Sequence, residues 1–371
     1  MATTFLSQLL AAVTPPPILT PEQYDGWQFR WKVLVFRPAQ LKTEAYLLLA
    51  VLLYVAWWYI ASSVNATKAK TWLKAHLPIY DQQFSRPQSK AGLVSDGYSD
   101  FFNFSTGRRN IASLHTIFAL QPRHDFVQWV FQTGRTLVDL HYRPVDDLQL
   151  DFKLFPGALA DGFVWALVAK DELLSVKNGR WDLSFPRAGS ENPALPSSIL
   201  VMSEYADITE NLLKPSGSFS LVNVLQDPKV LPYFRSLSIT DQPRERPTRP
   251  IPPEEREKHI ILSLTVPPSS KVADTIPLIT AMFQLVDSLN KLSLRPETKT
   301  KLKKSREEVD KVIKEEAEKE AKEEALDAKL AAKRKAEEDR MSKLSAVDQK
   351  KALEKERKRA LRKAQGKVVR K

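Results

Sequence analysis

The stretch AYLLLAVLLYVAWWYIASSV, Ala45 to Val64, holds no charged residue in twenty positions. As a helix it rises about 30 Å, the thickness of a bilayer's hydrocarbon layer. Leu47, Leu48, Leu49, Val51, Leu52, Leu53, Val55, Ile60 and Val64 together favour insertion by roughly 3 to 5 kcal/mol before small and polar positions are counted. Tyr46 marks one end, Trp57, Trp58 and Tyr59 cluster toward the other, and Lys68, Lys70 and Lys74 follow. Aromatic residues and lysines gather in this way where a helix leaves the apolar layer. The segment therefore reads as a transmembrane helix over 45–64, with Tyr46, Leu49, Leu52, Leu53, Trp57, Trp58 and Tyr59 as its membrane-anchoring residues. A buried core helix normally carries a polar stripe. A cleavable signal begins earlier, is shorter and follows a basic segment.

Residues 1–44 form a short N-terminal segment. Its apolar patch, Phe5 to Val13, has no preceding Lys or Arg and ends at Pro15 to Pro17, which suits either a weak signal or a short interfacial helix. Charge hardly decides orientation: Arg30, Lys32, Arg37 and Lys42 precede the run, and three lysines follow it. The tail decides it indirectly. Residues 297–371 carry 26 Lys+Arg against 17 Asp+Glu, most of the chain's formal net charge of +12, and polyanions for such a tail abound in the cytosol. The expected arrangement is N-terminus lumenal and C-terminus cytosolic.

Residues 65–100 are polar, contain Pro78, Pro87 and Gly92, and read as a linker. From 101 to 296 the pattern is that of an α+β domain. NIASLHTIFAL is strand-like, HDFVQWVFQTGRTLVDL has helical spacing, and LQLDFKLF alternates with Leu148, Leu150, Phe152 and Leu154 on one face. GFVWALVAK, WDLSFP, SILVMSE, LSIT and HIILSLTV are further strand candidates, whereas DITENLL and FSLVNVLQ are short helical ones. RPTRPIPPEEREK reads as a loop, and VADTIPLITAMFQLVDSLNKLSL as a closing amphipathic helix.

Chemistry-bearing patterns are few. The chain has no cysteine, which excludes disulfides, thiolate zinc sites and a thiol nucleophile. It has no glycine-rich phosphate loop, no G-x-S-x-G and no H-E-x-x-H. His76, His115, His124, His141 and His259 are scattered, and Asp146, Asp147 and Asp151 read as loop and strand polar positions rather than a metal set. The expectation is a non-enzyme without cofactor or metal. Asn65-Ala66-Thr67 and Asn103-Phe104-Ser105 are sequons, silent in the expected orientation, with Asn103 the better reporter because Asn65 abuts the membrane.

From Glu297 onward Lys, Glu, Ala, Arg and Leu dominate and proline is absent, which predicts a long charged helix, coiled-coil-like in composition. Residues 307–327 are net −6 and residues 328–371 net +11. Val309, Ile313, Leu326, Leu330, Met341, Leu344, Leu353 and Leu361 do not sustain a heptad, and Ser345 with Asp348 resembles a capping box that starts a second helix. Lys333, Arg334, Lys335, Lys350, Lys351, Lys355, Arg357, Lys358, Arg359, Arg362 and Lys363 could neutralise nucleic-acid phosphates with strong salt dependence. The same charges also suit a solvated helix that binds nothing, or attachment to anionic lipid.

The order of parts, together with WQFRWKVLVFRP, GRRNIASLHTIFAL, LPSSILVMSEYADITENLL, HIILSLTVP, PLITAMFQLVDSLNKLSLRPETKTKLKKSR and RMSKLSAVDQKKALEKERKRALRK, resembles the calumin family, also called coiled-coil-domain-containing protein 47, from about residue 27 to the end. The resemblance implies a subunit of the PAT complex in the endoplasmic reticulum membrane. It also implies work beside a small Asterix-type membrane protein, a Sec61-type translocon, ribosomes and nascent multipass membrane proteins. A ribosome-directed tail in that family favours the ribosomal-RNA reading. The alternative it leaves is a regulator of reticulum calcium homeostasis acting through channel partners. Against calcium binding, residues 1–44 hold only Glu22, Asp25 and Glu44 as acids.

Overall fold

The computed structural model describes residues 26–342 except 33, 39–40, 140–141, 188 and 216–218, with backbone alone at 333–334 and 336–342. The basic positions from Lys350 onward and the capping signal at Ser345 lie outside the described residues.

The apolar run does not end where its composition changes. Helix α1 spans Lys42–Gln83, 42 residues, and so includes much of the stretch expected to be a linker. Its two halves obey different rules. From Ala45 through Ile60 the side chains are apolar or aromatic all round and, but for half-buried Trp58, exposed, whereas Ala61, Asn65, Ala69, Trp72, Leu73, His76 and Tyr80 form a buried stripe at spacings of three and four. The linker expectation fails here because that stripe is built from small, aromatic and amide residues, which a search for aliphatic periodicity passes over. Pro78 lies inside the helix and removes one backbone donor without ending it.

The first half of α1 and the helical stretch Ser269–Leu289, whose last fourteen residues are the closing helix α6 (Ile276–Leu289), are both long and apolar enough to cross a membrane. Burial separates them. Leu278, Ile279, Met282, Phe283, Leu285, Val286 and Leu289 of α6 are packed inside the domain, while Leu48, Leu49, Leu52 and Leu53 of α1 are exposed.

Ahead of α1, β1 (Phe29–Trp31) and β2 (Leu34–Phe36) form an exposed antiparallel hairpin. After it comes an eight-stranded sheet, β3 (Val94–Asp96), β4 (Asp100–Ser105), β5 (Ile111–Ala119), β6 (Asp147–Leu154), β7 (Trp165–Ala169), β8 (Ile199–Ser203), β9 (Phe234–Thr240) and β10 (His259–Thr265). The spatial order is β3-β4-β5-β6-β10-β9-β7-β8, antiparallel at every pairing. Helix α2 is Phe126–Val138, α3 Leu173–Asn178, α4 Ala206–Leu213 and α5 Leu221–Leu225. The candidate strand WDLSFP is instead a 3-10 turn, Asp182–Ser184, in which Asp182 is buried and accepts two hydrogen bonds from Arg180. The Ser184 and Phe185 amides donate back to the carbonyls of Trp181 and Asp182, three residues earlier, which closes a turn in place of an extended strand.

One sheet face carries the core. Leu148, Leu150, Phe152 and Leu154 of β6, with Ile260, Leu262 and Leu264 of β10, join the second half of α1 and the inner side of α6 in a single cluster. Phe283 meets Tyr80, Phe84 and Phe152 edge to face at 5.7–6.3 Å, which ties α1, α6 and the sheet together. The opposite face carries a smaller apolar cluster, Val164, Ala166, Val168, Leu183 and Met202, and beside it charged side chains pair with one another.

The chain divides into two compact units, Met1–Arg246 with Arg256–Leu302, and Pro247–Glu255 with Lys303–Lys371. Helix α7, Pro296–Ser342, begins in the first, where Asp207 accepts from the Arg295 amide and from Thr298 Oγ1. In the second unit α7 is dominated by charge, and Val312, Leu326 and Leu330 are exposed.

Candidate functional site at the root of the apolar helix

The region that distinguishes this molecule is where α1 passes from its apolar half into the domain. There α1 is held to the domain at three points spread over about three turns. Trp57 Nε1 donates to the Arg123 carbonyl at 2.9 Å. Two turns on, Asn65 is fully buried, with Nδ2 donating to the carbonyls of Tyr98 (3.2 Å) and Gln121 (3.0 Å) and Oδ1 accepting from Arg123 Nη1 (3.1 Å). An unpaired amide there would carry a desolvation cost, and all its polar atoms are instead engaged.

One turn further, Lys68 Nζ lies 2.7 Å from Asp146 Oδ2, and Arg123 makes a bidentate pair with the same carboxylate at 2.7 and 2.9 Å. The Gln121 amide supplies a fourth donor at 3.0 Å. Burial pushes the Asp146 carboxyl upward, but the hydrogen bonds from Arg123, Lys68 and Gln121 outweigh it and hold the group below the usual carboxylate range. Asp146 is thus a fixed negative centre that binds two cations of the protein itself.

Deeper still, Trp72 stacks on His76 with centroids 3.8 Å apart and donates to Thr275 Oγ1 at 3.2 Å. His76 Nδ1 faces the Trp72 carbonyl at 2.9 Å, so this nitrogen carries the proton and Nε2 presents its lone pair to Thr275 Oγ1 at 3.1 Å. Burial lowers its pKa to about 4 despite the Trp72 carbonyl, so the ring is neutral at physiological pH.

The anchoring residues expected from the sequence sit as a group on α1: Tyr46, Leu49, Leu52, Leu53 and Tyr59 are exposed, Trp57 is 38% exposed, and Trp58 is half-buried against Tyr98 at 5.0 Å. The tail cations are not gathered into a described site. Lys335 is exposed on α7, Lys333 and Arg334 lie on that helix with undescribed side chains, and Lys350, Lys351, Lys355, Arg357, Lys358, Arg359, Arg362 and Lys363 fall outside the described residues. The three aspartates diverge: Asp146 binds Lys68 and Arg123, Asp147 binds Arg235 and Ser263, and Asp151 faces His259 and Arg244. Among the described residues no group of three or more His, Cys, Asp or Glu is arranged to hold a metal ion.

The two sequons also acquire structural roles. Asn65 is the clamp residue, and Asn103, fully buried on β4, donates to the Pro87 carbonyl and to Ser105 Oγ. Neither amide is accessible to a glycan in the folded chain, so Asn103 is not the topology reporter its sequence suggests. What sequence reading missed at this site, Asn65, Arg123 and Asp146, leaves one trace: Ala61, Asn65 and Ala69 recur every four residues, which puts an amide on an otherwise small, close-packing stripe.

Two comparisons bear on this arrangement. The model of the family described as PAT complex subunit CCDC47 matches residues 40–363. A UPF0674 endoplasmic reticulum membrane protein of Schizosaccharomyces pombe is 28% identical over 344 residues, covering 86% of this chain and 85% of the relative.

Proposed function

This chain belongs to the family of the PAT complex subunit CCDC47, and from that premise we propose that it is a non-enzymatic, ribosome-associated scaffold of the endoplasmic reticulum membrane that assists insertion and folding of multipass membrane proteins. Ala45–Val64 is the membrane span, the N-terminus is lumenal, and the α+β domain and charged tail face the cytosol. An Asterix-type small membrane protein and a Sec61-type translocon are its membrane partners.

The observation that carries this reading is the continuity of α1. The helix that supplies the apolar run also supplies Trp72 and Tyr80 to the domain core, and Asn65 and Lys68 lock it between those points. A helix with a free hinge would leave the domain to diffuse about its anchor. A helix shared between span and core fixes the domain's height and tilt over the bilayer, which is what a scaffold between membrane and ribosome requires. The surplus of base over acid in residues 328–371 supports a phosphate-seeking role for the tail.

Cosedimentation of the full chain, in detergent, with ribosomes across a salt series tests the reading. Expected is binding at low salt that falls steeply as salt rises, and its loss on truncation after residue 327. Absence of binding at low salt overturns the ribosome assignment.

A further inference from the structure

Helix α2, Phe126–Val138, breaks the rule that every other long apolar face in the domain obeys. None of its residues is buried. Phe126, Val127, Val130, Phe131, Leu137 and Val138 are all exposed, Leu137 at 83% and Val138 at 87%. At 3.6 residues per turn these six side chains fall within a sector of about 140°, with only Gly134 among them. Gln128, Gln132 and Arg135 occupy the opposite side, where Arg135 stacks over the Tyr142 ring at 4.3 Å and pairs with Asp139. Asp125 caps the helix by accepting from the Gln128 amide. The sequence has therefore built a well-terminated amphipathic helix and left most of its apolar side, beyond Phe126, exposed among the described residues.

Its position says what covers it. Trp57, in the apolar run of α1, contacts Phe126 at 5.5 Å and Trp129 at 5.7 Å between centroids, and hydrogen-bonds to the Arg123 carbonyl just before α2 begins. Helix α2 thus starts at the level of Trp57, Trp58 and Tyr59, the aromatic end of the run. The charges Lys68, Arg123 and Asp146 lie on the domain side of that level, Lys68 being about 16 Å further along α1. An apolar sector continuous with an apolar run, starting at its aromatic end and bearing no acid, has the character of a helix lying in a lipid interface.

We infer that α2 is an in-plane helix whose Val127, Val130, Phe131, Leu137 and Val138 sit in the cytosolic leaflet, giving the domain a second contact with lipid. This rests on the reading of Ala45–Val64 as the span. The two contacts together define a plane. The shared helix sets the domain's height and tilt at one point, and a second contact beside it stiffens that tilt against rocking.

The absence of native cysteine makes the test direct. Single variants Val130→Cys, Phe131→Cys and Leu137→Cys, with Gln128→Cys and Gln132→Cys on the polar side and Leu52→Cys in the run, are made in the full chain. Each is spin-labelled and reconstituted alone into phosphatidylcholine vesicles. Collisional access to oxygen, which concentrates in lipid, is compared with access to a water-soluble nickel chelate. Oxygen preference at 52, 130, 131 and 137 with nickel preference at 128 and 132 supports the inference. Nickel preference at 130, 131 and 137 while 52 prefers oxygen overturns it and leaves the span intact. Nickel preference at 52 overturns both. Protection of 130, 131 and 137 in native microsomes but not in pure lipid vesicles assigns the face to a protein partner, and the lipid assignment falls.

Discussion

Lys68 Nζ and Asp146 Oδ2 lie 2.7 Å apart, joining the helix of the apolar run to the residue that precedes strand β6, and Arg123 closes on the same carboxylate from the loop between β5 and α2. Their side chains are 26%, 8% and 23% exposed for Lys68, Asp146 and Arg123, so removal of the shared anion strands two largely desolvated cations. Asp146→Ala is expected to cost about 3 kcal/mol, which for a domain of this size lowers the melting temperature by roughly 6–12 °C. Asp146→Asn, which keeps an acceptor for the Gln121 amide, should fall between. Thermal melts of the three proteins in detergent check both statements. Equal melting temperatures would show that the carboxylate does not hold α1 to the domain.

His76 gives the domain an acid-sensitive joint. Its pKa is lowered to about 4 in the folded chain, from an ordinary value near 6.5, because burial penalises the imidazolium. Between those values the unfolded state holds more protons, so this group's contribution to stability is full above about pH 6.5 and is lost as pH falls through the window, to a limit of about 3 kcal/mol. His259 works in the opposite direction. Burial would lower its pKa, but Asp151 and Glu257 raise it, so its contribution is full below about pH 6.5 and disappears as pH rises through the raised value. Urea midpoints of the native chain and His76→Gln between pH 7.5 and 4.5 separate the two. The native chain should lose stability relative to the variant as pH drops; parallel curves would mean that His76 is not held neutral.

Much of the sheet was legible because period-two alternation is a local signal. Leu148, Leu150, Phe152 and Leu154 share one face as their spacing requires, the candidates containing residues 111–119, 165–169, 199–203 and 259–265 are strands, and LSIT is the last four residues of β9. The spatial order was not legible, since pairing β6 with β10 sets Leu150 opposite Leu262 across more than a hundred residues. Strand β3 was missed because it sits in a polar stretch read as linker, and β4, Asp100–Ser105, straddles the edge of that stretch and was not among the candidate strands. The clamp was missed for a different reason. Asn65 and Asp146 look like surface polar residues in sequence, and only the fold brings Arg123 between them.

Gly107 fixes how the end of α1 meets the sheet. It has φ +91°, a backbone conformation that L side chains rarely adopt, and a Cβ there would overlap Ser85 Oγ. The adjacent backbone bonds, Arg86 N to Thr106 O at 3.0 Å and Thr106 N to Arg86 O at 2.9 Å, depend on that close approach. Gly107→Ala is expected to destabilise by about 1–3 kcal/mol through strain alone, with little change in folded secondary structure. Gly97 is the control: its φ is +86° but nothing lies within 4 Å of its Cβ position, so Gly97→Ala carries the backbone cost without the overlap. Urea midpoints of the two variants should therefore differ, with Gly107→Ala lower.

Because Asn65 and Asn103 are both buried, the proposed topology needs an accessible acceptor. Pro268→Asn creates one, since Ser269 and Ser270 follow and all three positions are exposed. Pro268 also precedes a 3-10 helix as its N-cap, a position asparagine suits, so the variant should fold. If the domain faces the cytosol, this chain expressed in microsomes should migrate without a glycan. A second reporter, Thr20→Asn, completes N-P-E and cannot serve, because proline follows the acceptor; Glu22→Asn instead reads Asn-Gln23-Tyr24 and needs Tyr24→Thr beside it. That double variant, on the proposed lumenal side, should gain an endoglycosidase-sensitive shift. Modification at 268 with none at 22 would invert the molecule, put the basic tail in the lumen away from ribosomes, and end the scaffold proposal.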